Sequence, residues 1–138
     1  MKTNSFQNRT SMIKIFACFG ALVIITLMSS CAKAKVEGAV KLTNVFISKF
    51  AGDKIKITTE GKNLVMISKV GHISEETKAD TAFRNSKIEY LKHDSTIRYV
   101  TEDLIPLCKE ADYEYFVLRY MDTLSSDTMN ILIPLEEF

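Results

Sequence analysis

Asp112–Asp122 reads DYEYFVLRYMD, and the fold turns on how that stretch is read. As a strand it is apolar or aromatic on both faces: Tyr113, Tyr115, Val117 and Met121 on one, Phe116, Leu118 and Tyr120 on the other. A strand of this kind suits the middle of a covered sheet, not an edge. It is expected to be interior and to pair with Thr128–Leu135 through a turn at Leu124–Asp127. Pro134 falls near the end of that last strand, where a ladder hydrogen bond is dispensable. Core packing is the main use of the aromatic residues; Tyr115 and Tyr120 are the candidates for a partner surface.

Working back from this strand, the chain supplies more segments with strand character. Lys54–Thr59 alternates cleanly, with Ile55, Ile57 and Thr59 on one side and Lys54, Lys56 and Thr58 on the other. Glu60-Gly61-Lys62-Asn63 is a turn with a glycine available for positive φ, and Leu64–Val70 is a continuously apolar strand. Val40–Phe50 reads as a first strand with imperfect alternation, closed by a turn at Ala51-Gly52-Asp53. Lys87–Lys92 and Thr96–Thr101 read as a hairpin joined at His93-Asp94-Ser95. Between them, Gly71–Ser86 breaks the pattern. Ser74 as N-cap and Glu75 and Glu76 in a first turn predict a short helix over Glu75–Arg84, with a surface loop as the alternative. Pro106 argues against a long helix in the Glu102–Glu110 crossover.

Seven candidate strands at short spacing predict a mainly β fold: a small antiparallel sandwich or barrel with one short helix. An α+β arrangement is the alternative. Leu107, followed six residues later by Tyr113 at the start of the aromatic strand, resembles the loop-to-strand corner of fibronectin type III and immunoglobulin-like domains. That resemblance implies an immunoglobulin-like sandwich in which the Tyr113 hydroxyl bonds back across the corner.

The other end of the chain concerns destination. Lys2, Arg9 and Lys14 precede the apolar run Phe16–Met28, with no acid among them. This is the order of a secretory signal. The run is shorter than the roughly 20 apolar residues of a spanning helix. It closes on Ser29-Ser30-Cys31, which resembles the lipobox of bacterial lipoproteins, with Met28 where Leu, Val or Ile is usual. The resemblance implies that residues 1–30 are removed and that Cys31 is diacylated as the first mature residue. Two or more acyl chains hold a small domain stably at a membrane. Ala32 after the cysteine resembles the default outer-membrane case, and Lys33 and Lys35 do not resemble an acidic surface-export tag, so a periplasm-facing position is expected. The organisation is then a signal peptide over 1–30, a lipidated cysteine and polar tether over 31–39, and one domain over 40–138.

Of 18 basic and 17 acidic side chains in the chain, the signal takes three basic ones, so 15 and 17 remain and the mature net charge is −2. That balance gives no support for nucleic-acid binding. Cys18 lies in the signal and Cys31 is the lipidation site. Cys108 is then alone and has no intrachain disulfide partner.

Catalytic chemistry is thinly represented. Cys108 with His72 or His93 as base is the only candidate nucleophile. A metal site from His72 and His93 with Asp94 or Glu75-Glu76 lacks ligand spacing within one element. No phosphate loop, dinucleotide fingerprint or serine elbow is present, and no cofactor is expected. Two functions follow. One is a lipid-anchored, non-catalytic binding, assembly or inhibitor module with a protein partner in the cell envelope. The other is a small periplasmic enzyme or ligand carrier using Cys108 or His72 and His93.

Overall fold

A computed structural model describes residues 31–93 and 95–138, with side chains at 95–101 excepted. The export signal and Asp94 lie outside the described residues. The chain forms helix α1 (31–51), β1 (Ile55–Glu60), β2 (Asn63–Val70), α2 (Glu75–Ala79), α3 (Thr81–His93), α4 (Ser95–Glu110), β3 (Tyr115–Asp122), β4 (Thr128–Pro134) and a closing 3-10 turn at Leu135–Glu137. The fold is therefore α+β, not a mainly β sandwich or barrel of seven strands.

Four strands make one mixed sheet in the order β1-β2-β3-β4. The two outer pairs are antiparallel hairpins, and the central pair β2–β3 is parallel. A parallel pair needs a crossover, and residues 71–114, with three helices, supply it. β1 and β2 meet through Gly61-Lys62, with Gly61 at φ +59, the position at which a two-residue II′ turn takes glycine. β3 is interior and pairs with β4 from Tyr115↔Pro134 to Met121↔Thr128, as its two apolar faces require.

The helices cover one face of the sheet. That face presents Ile57, Leu64, Met66, Phe116, Leu118, Met129, Ile131 and Ile133, all buried. From the helix side come Val36 and Val40 of α1, Leu91 of α3, and Leu104, Ile105 and Cys108 of α4. Phe138 closes the cluster edge-on to Phe116 at 5.8 Å.

Three of the expected strands are helical, and each has a physical reason. Val40–Phe50 belongs to α1, where Val36, Val40, Thr43 and Ile47 recur at helical spacing and turn toward the sheet. The segment read as a tether is the start of the same helix. Lys87–Lys92 lies in α3: Leu91 is buried, Ile88 packs on the core, and Tyr90, two residues on from Ile88, is exposed. Thr96–Thr101 opens α4, which continues through Pro106. A proline in a helix interior costs about 3 kcal/mol. Here the ring is exposed, while Leu104, Ile105 and Cys108 are buried around it, and three buried side chains offset that cost.

The Leu107–Tyr113 stretch is a helix end, not an immunoglobulin-like corner. The Tyr113 N–H donates to the Cys108 carbonyl at 3.0 Å and the Asp112 N–H to Lys109 at 3.2 Å, with Asp112 at φ +58. This is the Schellman pattern that closes helices. Ser74 does cap a helix, accepting from the Thr77 N–H at 3.1 Å, but that helix stops at Asp80 and α3 restarts from Thr81.

Candidate functional site

The second face of the sheet is bordered by α1 at its β1 edge, where the Asn44 amide bonds the Ile57 main chain and Asn44 and Ser48 line a cleft with Lys56, Ile67, Lys69 and Met121; toward β4 it is open. Pleating places Lys56, Thr58 and Glu60 of β1 on it, with Val65, Ile67 and Lys69 of β2, Tyr115, Val117, Arg119 and Met121 of β3, and Asn130 and Leu132 of β4. Val65 and Val117 are nonetheless buried. Arg119 explains this. Its guanidinium reaches over β2 to Glu60 on β1 through two hydrogen bonds of 2.6 and 2.8 Å, and its Nε donates to Asn130 Oδ1 on β4 at 2.9 Å. One side chain thus ties β1, β3 and β4 together, and its path from the row of Ile67 and Asn130 to Glu60 crosses the row that holds Val65 and Val117. The Arg119 hydrogen bonds hold the Glu60 carboxyl below the usual range, and Glu60 in turn raises Arg119.

Beside this clasp the face is open and apolar. Leu132 is 54% exposed and Tyr115 36% exposed. β4 is an edge strand. Its neighbours Asp122 N–H to Asp127 carbonyl and Leu135 N–H to Glu114 carbonyl fix the bonding alternation, so the main-chain groups of Asn130 and Leu132 point away from β3. Tyr115 also borders an open cleft of about 750 Å³ with Lys62, Lys109, Asp112, Glu114 and Pro134. Two of its charges satisfy each other, Lys62 with Glu114 at 2.8 Å.

Tyr115 and Tyr120 do not form one surface. Tyr120 faces the helices, packs on the core and meets Phe83 edge-on at 6.3 Å; burial pushes its hydroxyl pKa up. Only Tyr115 stands on the open face.

At the carboxyl ends of β2 and β3 sits a second polar cluster. Asp122 is fully buried as a side chain and lies 3.0 Å from His72 Nδ1. Its two oxygens accept the N–H groups of Ile73 (2.9 Å), Leu124 (2.7 Å) and Ser125 (3.0 Å). Those backbone bonds, Ile73 first, hold its carboxyl far below the usual range against the opposing effect of burial. The arrangement joins the β2–α2 connection to the β3–β4 turn. The His72 ring is 67% exposed. Every acceptor position of Asp122 is used to fix loops, and no hydroxyl or thiol nucleophile is hydrogen-bonded to His72 among the described residues.

The structure brings the other sequence candidates no closer together. His93 ends α3 and pairs with Glu89, one turn back, at 3.4 Å. Glu75 pairs with Lys78. No group of three or more His, Cys, Asp or Glu able to hold a metal occurs among the described residues. Cys108 is buried in the core, and burial pushes its thiol up to about 12, which leaves it almost without thiolate at neutral pH. Cys31 is exposed at the first described turn of α1.

Sequence reasoning missed Arg119 and Asp122 as organising residues. The available signal was Arg119 itself: a lone cation inside an otherwise apolar strand needs an acid across the sheet, and Glu60 closes the clean alternating strand. No protein-family model matches the chain, and neither a curated protein nor a solved structure matches it.

Proposed function

We propose that this is a lipid-anchored envelope protein, held at Cys31 and facing the periplasm, whose α+β domain is a non-catalytic binding, assembly or inhibitor module for a protein partner. The open sheet face is the surface offered to that partner. The observation that carries the binding half of this reading is the exposure of Leu132 and Tyr115 on an uncovered face whose edge strand has outward main-chain groups. Such an edge accepts an extended segment by strand addition. The face mixes Lys56, Lys69 and Arg119 with Glu60, a balance that suits protein better than nucleic acid. The anchor half rests on the basic flank, the apolar run and the Ser29-Ser30-Cys31 close. The catalytic alternative finds little support, since its candidate thiol, Cys108, is buried in the core and burial pushes it up to about 12.

One experiment tests both halves. The full-length protein, extracted from membranes in mild detergent, should show by intact mass the loss of residues 1–30 and the gain of diacylglycerol. It should carry a stoichiometric protein that Leu132→Asp removes and Cys108→Ser does not. If Cys31→Ala is cleaved and still sediments with membranes, the anchor is wrong. If Leu132→Asp keeps the partner while Cys108→Ser loses it, the binding face is wrong.

A further inference from the structure

Helix α1 has a buried stripe and, on its other side, an exposed apolar one. Val36, Val40, Thr43 and Ile47 turn inward. Leu42 (74% exposed), Val45 (60%), Phe46 and Phe50 (76%) turn outward, with the Phe46 and Phe50 rings 5.0 Å apart. At 3.6 residues per turn, positions seven and eleven apart fall on one side. Lys35 and Lys49 stand seven residues before and after Leu42, and Cys31 stands eleven before it. The cysteine that the export signal marks for acylation, the apolar ridge and two lysines therefore share one face. Residues 31–51 also contain Lys33 and Lys41, and only one acid, Glu37, five residues from Leu42 and off that face. The helix carries a net charge of +3 in a mature chain of net −2.

We infer that α1 lies along the membrane surface, with its outer face against anionic phospholipid. This rests on the lipid-anchor reading and sharpens it: the anchor is not a tether, because the chain is helical from Cys31 and Val36 is already in the core. Acyl chains on Cys31 place the start of α1 at the headgroups. The ridge then enters the headgroup–acyl boundary while the lysines meet phosphate. No helix among the described residues is long and apolar enough to span a membrane; α1 lies on the surface and does not cross it. The domain would be held in one orientation, as a rigid attachment requires.

The chain contains no tryptophan, so one introduced tryptophan reports its own site. Full-length Leu42→Trp, and Phe50→Trp as a second probe, are reconstituted into phosphatidylcholine vesicles with and without phosphatidylglycerol, using brominated acyl chains as quencher. Leu132→Trp on the open sheet face is the reference. The expected result is blue-shifted emission and several-fold stronger quenching at positions 42 and 50 than at 132. Lys35→Glu with Lys49→Glu should weaken it on phosphatidylglycerol vesicles. Quenching at 42 and 50 no greater than at 132 overturns the inference. So does a blue shift without quenching in a protein that sediments as a dimer, since a second copy would then cover the ridge. Intact mass of the same sample reads Cys31 acylation separately: an unacylated Cys31 removes the anchor, whereas an acylated protein with unquenched probes removes only the surface-lying helix.

Discussion

The two faces of the sheet are built from the same four strands and are kept dry by different means. On the helix side, Ile57, Leu64, Phe116 and Ile133 are sealed by α1, α3, α4 and the chain end. On the other side, Val65 and Val117 are buried in the row crossed by one arginine held between Glu60 and Asn130. The first cover is rigid and made of many side chains. The second is a single arginine pinned by three hydrogen bonds, with Leu132 and Tyr115 left exposed beside it. A face closed this lightly holds the fold and still leaves area for a partner.

The sharpest way to break this contrast is to truncate neighbouring residues of β3 to alanine. Phe116→Ala, on the helix side, should cost about 3–5 kcal/mol in urea unfolding, because the surrounding helices cannot collapse into the space. Val117→Ala loses only two methyl groups and should cost roughly 1.5 kcal/mol. An equal cost from the much smaller Val117 truncation would mean that the open face is packed at least as tightly as the core.

How legible this was in the sequence depends on the element. All four strands were readable: Lys54–Thr59 from alternation, Leu64–Val70 and Asp112–Asp122 from apolar character on both faces, and Thr128–Leu135 from its pairing turn. The observed bounds shift by only a few residues. The helices were hidden for separate reasons. In α1 the outward ridge of Leu42, Val45, Phe46 and Phe50 lies over the inward stripe of Val36, Val40 and Ile47, so neither period stands out. In α3 only Leu91 is buried, and Ile88 with Tyr90 imitates a strand face. In α4 Pro106 is a true breaker overruled by tertiary burial. The site residues were harder still, since Arg119 meets Glu60 only through the register of one hairpin and the parallel pair beside it, which no local pattern specifies.

Next in expected size is a difference between two carboxylates. Asp122 is buried and its pKa is lowered by backbone N–H groups; Glu60 is half-exposed and lowered by Arg119. A depressed folded pKa contributes stability that is present above the unfolded value, about 3.9 for Asp, and is lost as pH falls below it. Thermal melts from pH 7 downward should therefore show an acid limb starting near pH 4 that Asp122→Asn largely removes. Glu60→Gln should change it less, and its effect should fade with salt, as for any screened surface pair. An acid limb untouched by Asp122→Asn would mean that the buried cluster does not control acid stability.

Arg119→Ala comes third. It removes a bidentate pair and the side chain that crosses the row of Val65 and Val117, and should cost about 1–2 kcal/mol. Arg119→Met keeps the stem without the charge and should recover part of it. If Arg119→Met is as unstable as Arg119→Ala, the ion pair, not the stem, is what closes this face.

The smallest expected stability effect lies on β4, where adjacent residues face opposite ways. Ile131 and Ile133 are 2% and 0% exposed, while Leu132 between them is 54% exposed. A carboxylate at 131 or 133 would be buried without a partner and should unfold the domain. At 132 the same carboxylate points to water from an edge strand, where charge is readily tolerated. Leu132→Asp should therefore stay within about 0.5 kcal/mol of the parent in urea unfolding. Binding of the proposed partner should nevertheless be lost, because the same carboxylate would have to be desolvated in the complex. The two readouts separate the roles of the residue. Lost binding at unchanged stability assigns Leu132 to an interface. A loss of stability above about 1 kcal/mol would instead make Leu132 part of the fold, and the open face would then be a second core wall that no partner needs to cover.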